Sequence, residues 1–258
     1  MDQLSQDAMT LVFSHALPAA RVIGILMFLP GLGGLNVPPQ VRLVLAGGIS
    51  FLAVGAFEPR QDLPSEPGML IGTLLTELGL GLVVGWTVMV FLESIRWSGE
   101  ILDMQLGLRA GQMFDPISAH GSTLLGQLYY LTALTFFFVI DGHHWVLGAI
   151  GKSFERIPVG QLAFGAPAMY LMLNAATSAL DIAVRLVAPT LTALLLADLS
   201  LAVVGRHVPQ MQVFIVGIPA KLAAGIAVLA FSAPLSADVL ASMVHQIKQH
   251  IALLLTGG

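Results

Sequence analysis

The chain has 258 residues, 56% of them hydrophobic and only 10% charged, with a mean hydropathy of +0.86 and a net charge of −4. A soluble domain carries roughly 25% charged residues, so this composition excludes a soluble enzyme, and the apolar excess must face lipid or other apolar subunits. The weak net charge and the lack of a basic tract exclude a nucleic-acid surface, and the absence of cysteine removes disulfides, thiolate metal sites and a catalytic thiol.

In chain order, the first apolar run covers residues 8–29. Asp2 and Asp7 precede it where a secretory signal would carry positive charge, and Arg21 interrupts it, so this segment is expected to stay as a helix and not to be cleaved. Further runs cover 41–57, which is short, then 69–92, 123–140, 170–204 and 212–232. A bilayer-crossing helix needs about 20 apolar residues; the 170–204 run is long enough for two, with Pro189 as a natural break. The tail at 238–255 differs. Val239, Leu240, Met243, Val244, Ile247 and Ile251 recur at helical spacing with His245, Lys248 and Gln249 between them, which is the pattern of an amphipathic helix. Nothing alternates as a strand would. The expected fold is all-α and membrane-associated, one domain over 1–258 with about six hydrophobic segments and a C-terminal amphipathic helix. The connection at 30–39 is rich in Gly and Pro, and the one at 58–67 combines charges with Pro59, Pro64 and Pro67, as solvated loops do. Lys and Arg are spread thinly over nearly every loop, so the positive-inside rule assigns no orientation.

The helical pattern starting at residue 69 continues past Leu92 through Glu93, Arg96, Glu100 and Asp103, at offsets that line one helix face. This stripe reads as a solvated face or as a polar stripe lining a pathway or meeting a partner. The stretch 107–122 follows, glycine-rich, with Met113, Phe114 and Ile117 around the turn-forming Asp115-Pro116. With the next run it makes a helical hairpin whose tip is either a solvent loop or a plug. Arg21, Glu77, Asp181, Arg185, Asp198 and Lys221 lie in or beside apolar runs, where a charge facing lipid is costly, so each is expected against protein or water. Asp181 and Arg185 stand four apart with the acid first, the order that pairs on a helix; the others read as inter-subunit contacts. Gly81 and Gly85 are spaced for close helix packing.

No catalytic constellation is present. There is no GxSxG, Walker or GxGxxG motif, and no nucleophile–base pair stands out. His143-His144 after Asp141-Gly142 is the only concentration of histidine. Adjacent helical residues diverge by about 100°, and no HExxH accompanies them, so the expectation is no metal, no cofactor and no enzyme.

A family resemblance emerges from an ordered set of residues that spans nearly the whole chain. It comprises Arg21 and Pro30, then Pro38 and Arg42, then Glu77, Gly79, Gly81 and Gly85. Gly99, Asp103, Gln105 and Gly107 follow, then Asp115-Pro116, Asp141-Gly142-His143, Ser153-Phe154 and Ala188-Pro189. Its most specific piece runs from Gly205 through Arg206, Pro209, Gln210 and Met211 to Phe214, followed by Pro219, Lys221 and Gly225. In these residues the chain resembles the FliR/SctT family of type III secretion export-gate components; Gln212 stands where that family usually has asparagine. The resemblance implies bent helical hairpins packed against neighbouring subunits, which would account for the short second run, the charges within runs and the missing orientation signal. It implies a multi-pass protein of the bacterial inner membrane and the flagellar basal body, one copy joining FliP and FliQ, with FlhB and FlhA as further partners. That gate passes unfolded flagellar proteins, with energy supplied from outside this chain. It also implies a pore plug at Ala110, Gly111, Gln112, Met113, Phe114, Asp115, Pro116 and Ile117. Arg21, Arg42, Glu77, Asp103, Gln105, Asp181, Arg185, Asp198, Arg206, Gln210 and Lys221 then become assembly or buried polar contacts. Alternatives are an injectisome export-gate subunit, a secondary transporter using Glu77, Asp181 and Asp198 as coupling-ion sites, and a purely structural membrane anchor.

Overall fold

The computed structural model describes residues 2–31, 37–57, 67–108, 123–160, 166–207 and 213–256. These form seven helices: α1 (Asp2–Phe28), α2 (Pro39–Phe57), α3 (Pro67–Gln105), α4 (Leu124–Val139), α5 (Gly142–Arg156), α6 (Ala166–His207) and α7 (Val213–Thr256). The protein is an all-α membrane protein. Helices α3, α6 and α7 are each long and apolar enough to cross a bilayer, and α4 with α5 makes a fourth candidate if that broken pair counts as one span. Pro39 and Pro67 open α2 and α3, at the position where a missing N–H costs no helical hydrogen bond.

Two expectations about elements are corrected, and one element was missed. The 170–204 run is one continuous helix, with Pro189 inside it. The 212–232 run and the amphipathic tail also fuse into one helix, containing Pro219 and Pro234. A proline removes one backbone bond and strains one turn, but long apolar helices tolerate it because no water competes for the remaining bonds. Helix α5 was not foreseen as an element. It starts after Asp141, whose left-handed backbone (φ 59°) breaks the chain between α4 and α5.

The chain divides into two compact units. The first comprises Met1–Val90, Phe138–Thr177 and Gln246–Gly258. Here α1 lies against α2, where the His15 ring stacks on Phe51 at 5.7 Å and the Ser50 hydroxyl donates to the His15 carbonyl. It lies still closer to α3. A methyl group added at Gly85 would sit 2.6 Å from the Ile25 carbonyl oxygen, and one at Gly81 would collide with the Arg21 carbonyl. Gly81 and Gly85 therefore do pack helices closely, and Gly24 supplies the matching notch on α1, 2.5 Å from the Leu78 carbonyl by the same measure. Buried Val22, Ile25, Val84, Val88, Ile150 and Phe154 contribute to the core of this unit.

The second unit comprises Phe91–Phe137 and Ser178–His245. Its core gathers Leu102, Leu106, Val187 and Leu194, with Leu125, Tyr129, Leu191, Leu222 and Leu229 packed around them. The Ser98 hydroxyl of α3 donates to the Ala183 carbonyl of α6 at 3.0 Å. Gly99 and Gly126 let α3 and α4 touch at backbone distance: a methyl at Gly99 would lie 2.5 Å from the Leu125 carbonyl oxygen.

Cover is distributed unevenly. Of the most apolar stretch in each long helix, 56% is buried in α3 but only 17% in α6 and 11% in α7. The apolar faces of α6 and α7, including Leu173, Val184, Leu199 and Phe231, are bare within the chain.

Candidate functional site

Helix α3 carries two polar centres, one in each unit. The first is built on Arg21, which is 1% exposed, and Glu77, which is fully buried. The guanidinium Nε donates to Glu77 Oε2 at 2.6 Å. Its Nη1 donates to the carbonyls of Ser153 (3.0 Å) and Ile157 (3.1 Å), and to the Ser153 hydroxyl at 3.3 Å. These carbonyls lie at the C-terminal end of α5, where that of Ser153 also accepts the Ile157 N–H, so Arg21 adds a charged donor at the negative end of the α5 dipole. The ring of Phe154 lies 4.7 Å from the guanidinium carbon, within cation–π range. Glu77 Oε1 accepts the Gly160 N–H at 3.0 Å. Gly160 has φ of 94°, a backbone that favours glycine. The network thus ties α1, α3, α5 and the turn after α5. Arg21 and Glu77 are buried polar contacts within the chain. Ser153 and Gly160 complete the site; sequence reading singled out Ser153 only through the family pattern and had no signal for the Gly160 amide.

The second centre is the root of the hairpin that α3 and α4 form. At the end of α3, Gly107 takes φ of 76°, while the Leu108 N–H reaches the Asp103 carbonyl and the Gly107 N–H reaches the Met104 carbonyl. This is a Schellman termination. Asp103 is fully buried, and its Oδ2 accepts the N–H groups of Leu125 (2.9 Å) and Gly126 (3.1 Å) in the first turn of α4. A carboxylate from one helix thereby caps the next, where free N–H groups and the positive dipole end favour an anion. Two turns earlier, Arg96 pairs with Glu93 at 3.4 Å and Glu100 at 3.6 Å and lies over the Tyr130 ring of α4. The charged stripe is therefore turned toward α4 and only partly solvated.

Gln105, Asp198 and Lys221 meet beside this root. Gln105 Nε2 donates to Asp198 Oδ2 at 2.9 Å, and Lys221 Nζ stands 2.7 Å from both oxygens of the same carboxylate. Three residues that are far apart in sequence join the ends of α3, α6 and α7. Leu106 packs into the notch left by Gly225, where an added methyl would collide with it.

The remaining expected residues are dispersed. Asp181 and Arg185 pair at 2.8 Å on the exposed side of α6, as their spacing predicts. Arg42 donates to the Val37 carbonyl at the start of α2, and Arg206 is exposed near the end of α6. The plug residues Ala110, Gly111, Gln112, Met113, Phe114, Asp115, Pro116 and Ile117 lie outside the described residues, as does Gln210.

Comparison with known proteins gives a consistent result. Residues 12–247 match the family described as "Bacterial export proteins, family 1". The chain is 33% identical over 210 residues to the flagellar biosynthetic protein FliR of Bacillus subtilis (strain 168), covering 79% of each chain. It is 27% identical over 235 residues to FliR of Escherichia coli (strain K12), covering 91% of this chain and 90% of that one. With FliR of Caulobacter vibrioides the figure is 29% over 222 residues, covering 86% and 88%. With its all-helical apolar fold and a match that takes in both polar centres, the chain belongs to family 1 of the bacterial export proteins.

Proposed function

We propose that this chain is a non-enzymatic component of the flagellar type III export gate in the bacterial inner membrane. In this reading it assembles with FliP and FliQ, in the company of FlhB and FlhA, to form and plug the pore for unfolded flagellar proteins. Assembly is supported by α6 and α7: long, apolar and mostly uncovered within the chain, they need lipid or neighbouring subunits against them. The flagellar assignment over an injectisome rests on the three relatives named above, each of which carries the name FliR.

The observation that carries the plug is the root of the hairpin. Asp103 holds the start of α4, and Gln105 with Asp198 and Lys221 holds the end of α3, so the two helix ends that flank residues 109–122 are both held. A loop tethered in this way can seal a pore with Met113, Phe114 and Ile117 while its supports stay fixed. Against the transporter reading stands the pairing of Glu77, Asp181 and Asp198, each engaged by a cation of the same chain. Deletion of residues 111–120 tests the proposal. Ion conductance through the reconstituted FliP–FliQ complex containing this chain should rise well above that of the intact assembly; an unchanged conductance refutes the plug while leaving the assembly role standing.

A further inference from the structure

The break between α4 and α5 holds a cluster that the export role does not use. The two histidines that open α5 were expected to diverge, yet their rings stand 4.1 Å apart at an interplanar angle of 37°. Asp141, left-handed at φ 59°, sends its carboxylate back over the first turn of α5, where Oδ1 lies 3.0 Å from His144 Nδ1. One ligand atom from each of Asp141, His143 and His144 falls within 4.8 Å of the others, the sole such grouping among the described residues. A second observation points to a ligand. His143 Nδ1 is shut off from solvent and has no hydrogen-bond partner, with the ring held against Phe138 at 5.2 Å. A buried imidazole nitrogen without a partner is unfavourable, and a bound cation would satisfy it.

We infer that Asp141, His143 and His144 form a binding site for a first-row divalent metal ion, zinc foremost. Two imidazoles and a carboxylate are a borderline donor set that suits zinc, and three protein ligands leave the fourth tetrahedral position to water or a partner side chain. Zinc–ligand bonds of about 2.0–2.2 Å require the donors to close to about 3.3 Å. The side chains free to make that movement are His144 and Asp141, 69% and 72% exposed. Their exposure also gives the ion a route from water. The positive end of the α5 dipole opposes a cation weakly, and the Asp141 charge offsets it. A bound ion would fix the start of α5 against the break.

The test uses the full chain purified in detergent on a histidine-free affinity tag, stripped with chelator and titrated with Zn²⁺, then with Co²⁺ as a spectroscopic probe. One equivalent of Zn²⁺ per chain should bind, and Co²⁺ should show the absorption of a four-coordinate nitrogen–oxygen site. His144→Ala and Asp141→Asn should each weaken Zn²⁺ binding about tenfold or more and abolish the Co²⁺ bands. Both residues are exposed, so these variants keep the fold, and His207→Ala serves as a control that should bind normally. No stoichiometric binding by the parent chain, or unchanged affinity in both variants, overturns the site. Neither outcome bears on the export role.

Discussion

Arg21–Glu77 and Gln105–Asp198–Lys221 both join three helices around a carboxylate, and both use α3, yet one is sealed and the other half open. In the first, Arg21 has four protein acceptors and Glu77 takes a backbone amide as well. Removing such charges from water costs several kcal/mol per ion, and these bonds offset that cost while Arg21 Nη2 stays without a hydrogen-bond partner. In the second, Lys221 and Gln105 share an acid that keeps partial contact with its surroundings. The sealed centre can do nothing but hold α1, α3 and α5 in register. The open one stands beside the hairpin root, where its bonds can change partners at modest cost. Burial, rather than the presence of charge, separates the structural centre from the functional candidate.

Substitutions can break or sharpen that contrast. Arg21→Met strands a buried carboxylate and should lower the thermal stability of the purified chain by about 3–5 kcal/mol. The double variant Arg21→Met with Glu77→Leu should recover about half of this, because the stranded charge goes while the Gly160 amide and the Ile157 carbonyl still lose a partner. A single variant as stable as the parent would show that the network is not structural. Asp103→Ala uncaps two N–H groups of α4 and should cost about 1–3 kcal/mol. Amide exchange at Leu125 and Gly126 should accelerate, while exchange in the Arg21 unit stays unchanged. Lys221→Leu leaves a partly exposed acid and should cost about 1 kcal/mol or less, yet recovery of the FliP–FliQ complex should fall; normal assembly and motility would place Lys221 outside the interface. The smallest effect belongs to Asp181→Ala with Arg185→Ala. For an exposed pair the stability of the chain should change by less than about 0.5 kcal/mol, whereas complex recovery should drop if a neighbouring subunit covers that face of α6.

Much of this was legible in the residues. The runs at 41–57, 123–140 and 170–204 became helices close to their expected limits, because hydropathy over about 20 residues is a local property. Asp181 and Arg185 met because four residues make one helical turn with a small excess. Gly81 and Gly85 announced a close approach, but the partner notch at Gly24 was silent until α1 was laid against them. Pro189 misled, since a proline marks a lost bond and not an ended helix. The His143 and His144 rings lie closer than the divergence of adjacent helical residues suggested, because that rule describes the backbone whereas rotamers set where the rings lie.

By itself the sequence determined an apolar, all-helical export-family chain whose charges must be satisfied away from lipid, because composition, helical period and motif order are written along the chain. Only the tertiary structure decided which charge meets which. The pairing of Arg21 with Glu77 spans 56 positions and that of Gln105 with Asp198 spans 93. No local period specifies such distances; they follow from how α3 packs against α1 in one unit and against α6 in the other.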